Sequence, residues 1–322
     1  MRIAITGSTG LIGTALARSL ESDRHDVVRL VRRPPRAGEV HWDPAAGEID
    51  AAGLEGLDGV VHLAGKGIGD GRWTEAHLRE VHDSRVRGTA LLGEALASLD
   101  TPPPVLVSGS AVGYYGDRGD EVLTEDAAPG TGTLPDLCRA WEAATGIAEA
   151  AGIRVVHLRT GIVLAPDGGA LGKQLLPFKL GLGGRAGDGR QWFPWVSIDD
   201  EVGAIRFLLD RPVSGAVNVS APAPVRNVEF VKALGAELHR PTVVPIPRFV
   251  RRLPLGVGPL LDTLLFWSTR AEPRALVEAG YRFRHPDLGP ALADLLAHRT
   301  RKWRAIPAPG GGNRAPLRRD RG

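Results

Sequence analysis

The chain has 322 residues, 43% of them hydrophobic and 24% charged, with 40 basic against 37 acidic side chains and a formal charge of +3. That length and composition exclude disorder throughout and suit one large domain, or a domain with a smaller lobe. A single cysteine excludes an internal disulfide and a cysteine-based zinc site, and fits a reducing, cytoplasmic setting.

The first 165 residues alternate β-rich runs with helical patterns, the signature of a doubly wound parallel sheet covered by helices. Arg2 to Thr6 reads as a strand, and Leu11 to Leu20, with Leu11, Ala15, Leu16 and Leu20 on one face, as a helix. Val27 to Val31, Val40 to Trp42 and Val60 to Leu63 are the next expected strands. Trp73 to Leu99 has the pattern of a long amphipathic helix, and Pro102 to Pro104 end anything helical before the strand Val105 to Ser108. A glycine-rich loop to Thr133, a helix from Pro135 to Ala151 and a strand from Arg154 to Arg159 follow. Residues 167–195, rich in glycine and aromatics, predict a loop or hairpin. A helix, Asp199 to Leu209, and a strand, Ala216 to Val219, return the chain to the sheet. The expectation is a Rossmann-type α/β domain over 1–220, with 167–195 contributing to a substrate lobe. A small, mostly helical C-terminal lobe over 221–300 and a tail over 301–322 complete it.

The positive charge belongs to that tail. Residues 301–322 hold seven basic side chains and one acid, which leaves 33 basic against 36 acidic residues in the body. Their Pro- and Gly-rich composition predicts a solvated, disordered segment. The body therefore gives no reason to expect a nucleic-acid partner, and the tail is the only place for one. The apolar run at the N-terminus breaks at Gly7, too early for a signal peptide. No stretch approaches the ~18 apolar residues of a membrane span.

Thr6-Gly7-Ser8-Thr9-Gly10-Leu11-Ile12-Gly13 follows the first strand and opens the first helix. In such a fingerprint Gly7 permits the tight turn, Gly10 lets the main chain approach a pyrophosphate, and Gly13 lets helix and strand pack closely. The helix N-terminus offers N–H donors and a positive dipole end to the phosphates. The second strand ends in Arg32 and Arg33, with no acid until Glu39. An acid there would hold a ribose 2′-hydroxyl, whereas guanidinium groups suit a 2′-phosphate, so NADP(H) is expected over NAD(H). Asp43 is a candidate for an adenine contact, and Leu63, Ala64 and Gly65 lie where the cofactor should pass. Ser108, on the strand Val105 to Ser108, completes the expected cofactor set.

These motifs resemble the short-chain dehydrogenase/reductase superfamily in its extended, sugar-epimerase-like branch. The likeness runs through His62 to Gly65, Ser84 to Thr89, Ser108 to Gly116, Arg159 to Leu164 and Trp195 to Asp200. It implies an active site at the carboxyl ends of the strands, built from Ser, Tyr and Lys, the last two as Tyr-x-x-x-Lys. None of the three tyrosines, Tyr114, Tyr115 and Tyr281, has a lysine four residues on. Counting back from Glu142 puts Leu134 at the Tyr position and Cys138 at the Lys position. The Ser is retained as Ser110, with Ser108 as the competitor, and Arg85 stands where the long helix usually carries Asn. The chain is thereby similar to an atypical "epimerase family" group.

The expected catalytic set is Ser110, Arg85 and Cys138. Trp73, Tyr114, Trp141, Trp192 and Trp195 are candidates to line a substrate pocket. Asp199 and Asp200 are expected to cap the helix that follows them. No metal is expected, because the nine histidines show no ligand spacing. The resulting expectation is an oxidoreductase or epimerase-like protein acting on a carbonyl compound or sugar nucleotide. The alternative is a non-catalytic NADP(H) sensor, since the glycine fingerprint is intact while the acid–base pair is missing.

Overall fold

The computed structural model describes residues 1–248, 262–263 and 265–297, so the tail expected at 301–322 lies outside the described residues. In chain order the elements are β1 (Arg2–Thr6), α1 (Leu11–Ser22), β2 (Asp26–Val31), β3 (Glu39–Asp43), β4 (Glu48–Ile49), β5 (Gly59–His62), α2 (Glu75–Ala97) and β6 (Val105–Ala111). They continue as β7 (Val122–Leu123), α3 (Thr133–Ala143), α4 (Gly146–Ala150), β8 (Arg154–Thr160), β9 (Ile162–Ala165), α5 (Gly169–Lys179), β10 (Trp192–Phe193) and β11 (Trp195–Ser197). The remainder are α6 (Ile198–Asp210), β12 (Gly215–Val219), β13 (Val225–Arg226), α7 (Asn227–Glu237), β14 (Arg270–Ala271), α8 (Arg274–Glu278) and α9 (Leu288–Ala297).

An eight-stranded sheet runs β12-β8-β6-β5-β1-β2-β3-β4, parallel except for the antiparallel edge strand β4. This is the doubly wound order, with its reversal between β1 and β5, where ligands bind at the carboxyl ends of the strands. Strand alternation sends Ile3, Ile5, Val61 and Val107 to one face, against Leu16 and Leu20 of α1 and Val202 and Ile205 of α6. It sends Ala4, Val60 and Leu106 to the other, against Leu92 and Leu96 of α2 and Ala148 of α4. Each fully buried aliphatic side chain contributes about 1.5–3 kcal/mol, so these faces fix the strand ends in space. Leu276, Ala291, Leu292 and Leu295 join the first cluster, so the C-terminal helices share its core.

Two of the expected elements differ in extent or type. The single helix expected from Pro135 to Ala151 is two, because buried Thr145 at the break turns its hydroxyl onto the Glu142 carbonyl (2.8 Å) and meets His157 Nε2 (2.9 Å). The loop or hairpin expected over 167–195 contains helix α5, whose buried face is Leu171, Leu175 and Phe178. Gly169, Gly172 and Pro177 hid that spacing, since both residue types read as breakers. The short strands β4, β7, β10, β13 and β14 have two residues each, too few for a periodic signal.

Helix α6 is capped by Ser197, whose Oγ accepts the Asp200 N–H (3.0 Å), in place of the expected Asp199 and Asp200. Asp200 instead accepts the backbone N–H groups of Arg284 (2.7 Å) and His285 (2.9 Å), tying the C-terminal region to the sheet. Beside it Glu201 is fully buried, accepts one hydrogen bond from Thr160 Oγ1 (2.9 Å), and is pushed up to about 8 by burial. A carboxyl raised on folding is neutral in the native state while its unfolded counterpart ionises, so stability is greatest below the unfolded value near 4.5 and declines as pH rises towards 8. Chemical denaturation across that window should show the decline in the native chain and a flatter profile for Glu201→Gln; an equal slope in both would refute the assignment.

Candidate functional site

The first turn is built for close approach. Gly7 has φ +66°, where a side chain is strained, and a Cβ on it would lie 2.8 Å from the Leu63 carbonyl carbon. A Cβ on Gly13 would lie 2.2 Å from the Gly7 carbonyl oxygen. Gly10 is the N-cap of α1 and supplies no side-chain cap, and the first turn contains no acid. The opening N–H groups of a helix have no intrahelical acceptor, so this end presents donors and a positive dipole to an anion. The cradle therefore fits a dinucleotide pyrophosphate over Gly7, Ser8, Thr9, Gly10, Leu11, Ile12 and Gly13.

A buried hydrogen-bond chain holds the neighbouring strand end. Thr6 Oγ1 accepts the N–H groups of Leu63 and Ala64 (3.1 Å each), which leaves its hydrogen for His62 Nδ1 (2.8 Å). The His62 Nε2–H then donates to Thr89 Oγ1 (3.0 Å). Burial drives the imidazole down to about 4, so His62 is neutral and fixed in one tautomer. Neither its pairing nor the part played by Thr89 was foreseen from the sequence.

At the end of β2, Arg33 forks onto Glu39, with Nη1 2.7 Å from Oε2, and this holds the Glu39 carboxyl down at about 2. Arg32 is exposed and makes no ion pair among the described residues. Of the two arginines expected to read a 2′-phosphate, Arg32 is thus the available one, while Arg33 neutralises the nearby acid. Asp43 Oδ1 accepts the Ala45 N–H (2.9 Å), so part of its acceptor capacity closes the turn after β3.

The carboxyl end of β6 carries the polar machinery. Ser110 Oγ donates to Glu142 Oε1 (2.7 Å), and Glu142 receives Arg159 through Nε and Nη2, each at 2.9 Å. Arg159 Nη1 also donates to the Tyr115 hydroxyl (3.0 Å), which donates to Asn218 Oδ1 (2.7 Å). Tyr115 is fully buried and its hydroxyl is pushed up to about 12 by desolvation, so it holds its proton. The Tyr114 ring lies under the Arg159 guanidinium, 3.5 Å from its Cζ. Cys138 is buried beside this end of β6, and desolvation, reinforced by the Glu142 charge, raises its thiol to about 12. That environment keeps it a thiol and removes the nucleophile option. Glu142, Arg159 and Asn218 were missed as site residues. Arg159 opens one of the motifs of the resemblance and Glu142 marks the helix from which positions were counted, yet sequence spacing alone does not reveal that they meet.

The expected aromatic pocket separates into different surroundings. Trp195 is 1% exposed and belongs to the core, a correction that follows from its inward position on β11. Trp192 is packed by Arg226 and Arg270 and donates Nε1–H to Asp120 (2.9 Å). Trp73 donates Nε1–H to the Ile68 carbonyl (2.9 Å) ahead of α2. Trp141 packs over Gly109, where a Cβ would come within 2.9 Å of its ring, and the Arg85 guanidinium lies 4.9 Å from its ring centroid. Ser108 is fully buried on β6 opposite His62. A cleft of about 420 Å3 opens just past Tyr115, lined by residues 115–118, 129–131 and Trp267. None of the five expected pocket residues lines it.

A glycine turn at the reversal of a doubly wound sheet, with a serine-bearing strand end beside it, defines a dinucleotide-binding α/β protein of the Rossmann class. Residues 3–220 match the NAD dependent epimerase/dehydratase family, and residues 246–295 match a domain of unknown function, DUF1731. The chain is 44% identical to the epimerase family protein MT2273 of Mycobacterium tuberculosis over 90% of its own length and 96% of that protein. It is 37% identical to the human epimerase family protein SDR39U1, covering 92% of this chain and 100% of that one. The crystal structure of human SDR39U1 (isoform 2) with NADPH superposes with a TM-score of 0.84 at 36% identity, covering 92% and 99% of the two chains. The chain belongs to the NAD dependent epimerase/dehydratase family, as an atypical extended short-chain dehydrogenase/reductase.

Proposed function

We propose that this chain is an NADP(H)-dependent oxidoreductase or epimerase-like enzyme that acts on a secondary alcohol or its carbonyl form, a sugar nucleotide among the candidate substrates. The observation that carries the reading is Ser110, held by Glu142 at the strand end next to the glycine cradle. The NADPH in the human relative's crystal structure, and Arg32, exposed and without an ion pair among the described residues, support the choice of cofactor. Gly7 to Gly13 would hold the pyrophosphate, and Arg32 the 2′-phosphate. When bound, the cofactor supplies or accepts a hydride.

The Ser110 hydrogen points at the Glu142 carboxylate, which Arg159 grips through two hydrogen bonds, so the Ser110 oxygen lone pairs face outward as acceptors. Ser110 therefore receives the hydroxyl hydrogen of a substrate alcohol, and its own proton can pass to Glu142 Oε1 as that alcohol is oxidised. In the reverse direction Glu142 returns the proton through Ser110 to the carbonyl oxygen. This relay does the work for which Tyr115, buried and bonded on both sides, is not placed.

The test is the absorbance of reduced nicotinamide, followed with NADPH and a panel of carbonyl compounds and sugar nucleotides. Ser110→Ala should lower any turnover by about a hundredfold, the usual worth of a positioned proton-transfer group. Turnover insensitive to Ser110→Ala would overturn the proposal, and tight NADPH binding with no turnover across the panel would favour a sensor.

A further inference from the structure

The half-buried guanidinium of Arg85 has no acidic partner among the described residues. Its Nη1 donates only to backbone carbonyls, those of Lys66 (2.8 Å) and Val81 (3.2 Å). The acids nearest in sequence on α2 are taken, since Glu80 pairs with Lys66 and Asp83 with Arg87. A desolvated cation without a counter-charge costs stability unless something else neutralises it.

Its surroundings are shaped to keep it in place. A Cβ on Gly65, just past β5, would lie 3.2 Å from Arg85 Cζ, so a side chain there would press on the guanidinium by a few tenths of an ångström. One face lies over the Trp141 ring, and Trp141 Nε1 is itself buried with no hydrogen-bond partner. Trp141 packs in turn against Gly109 of β6, so Arg85 shares the β6 end with Ser110, Glu142 and Arg159. A planar fork held by stacking and backbone contacts, whose Nη2 and Nε make no hydrogen bond among the described residues, matches an oxyanion's two oxygens.

We propose that Arg85 is the substrate's anion-reading residue, and that the substrate carries a carboxylate beside the carbon that reacts. This rests on the reading of the β6 end as the reaction site, and it narrows the substrate to a hydroxy or oxo acid, or a sugar bearing an acid group. A phosphate monoester shares the oxyanion chemistry and is separated from a carboxylate by the probes below. Arg85 takes no proton in the reaction; it fixes the substrate so that its hydroxyl meets Ser110.

The full chain, with and without NADP+, is titrated with acetate, oxalate and inorganic phosphate while tryptophan emission is recorded, alongside a separate NADPH titration. A saturable response to the carboxylates is expected, weakened about tenfold or more in Arg85→Gln, partly restored in Arg85→Lys, and absent in Trp141→Phe, which removes the reporter. That factor is the size of one charge-assisted hydrogen bond. NADPH affinity of Arg85→Gln should stay close to the native value, and its thermal midpoint should not fall below the native one. No saturable carboxylate response, a response unchanged in Arg85→Gln, or a loss of NADPH affinity matching the loss of anion binding would overturn the proposal. Saturation by phosphate alone would overturn the carboxylate and assign a phosphoryl group. Ser110→Ala leaves this titration unchanged, so a failure of the hydride-transfer reading and a failure of the anion site are separate results.

Discussion

Glu142→Ala is expected to lower the stability of the folded chain by about 3–5 kcal/mol, the cost of stranding one member of a buried ion pair. The Arg159 side chain is 5% exposed and that of Glu142 11%, so the guanidinium left behind has little water to turn to. Its remaining hydrogen bonds, to the Tyr115 hydroxyl and the Glu125 carbonyl, do not neutralise it. Urea denaturation measures the loss directly. The double variant Glu142→Leu with Arg159→Met should recover most of the stability, because an apolar pair of similar volume removes both charges together. It should remain inactive, since Ser110 then has no carboxylate to hold its hydrogen. Full stability in Glu142→Ala, or activity in the double variant, would show that the pair does not have the role assigned to it.

Gly13→Val should weaken NADPH binding by about a hundredfold or more while leaving a folded sheet. Even the first carbon of the new side chain would fall 2.2 Å from the Gly7 carbonyl oxygen, a backbone atom with no rotamer to escape through. The turn must move away from α1, and overpacking of this kind costs about 1–3 kcal/mol or more. The cost falls on the cradle because that is where the helix start and the turn meet. Fluorescence titration with NADPH measures the loss, and circular dichroism reports the fold. Unchanged affinity would refute the placement of the pyrophosphate on this turn.

The layout of the sheet was legible in the sequence because buried parallel strands are short apolar runs with clear punctuation: Arg2 to Thr6, Val60 to Leu63 and Val105 to Ser108 all fall on β1, β5 and β6 to within a few residues. The glycine turn was equally legible, since backbone requirements select residue types at fixed spacing. The relay at the β6 end was only half visible. Ser110 stood out by resemblance, whereas its partner lies 32 residues away, and the ion pair joining Glu142 to Arg159 spans 17. Contacts between side chains on different elements leave no periodic trace. Arg32 and Arg33 illustrate the same point, because Arg33 is bonded to Glu39 while the adjacent Arg32 makes no ion pair among the described residues. Helix α5 was hidden for a different reason: tertiary burial of Leu171, Leu175 and Phe178 overrides the local cost of the glycines and Pro177.

The most direct test of the account is a side-by-side titration of the native chain with NADPH and NADH, repeated on Arg32→Ala. The account predicts saturable NADPH binding at least about tenfold tighter than NADH, the contribution of one charge-assisted hydrogen bond to a 2′-phosphate. It predicts that this preference nearly vanishes in Arg32→Ala while NADH affinity is unchanged. Equal affinity for the two cofactors in the native chain, or a preference that survives the loss of Arg32, would contradict it.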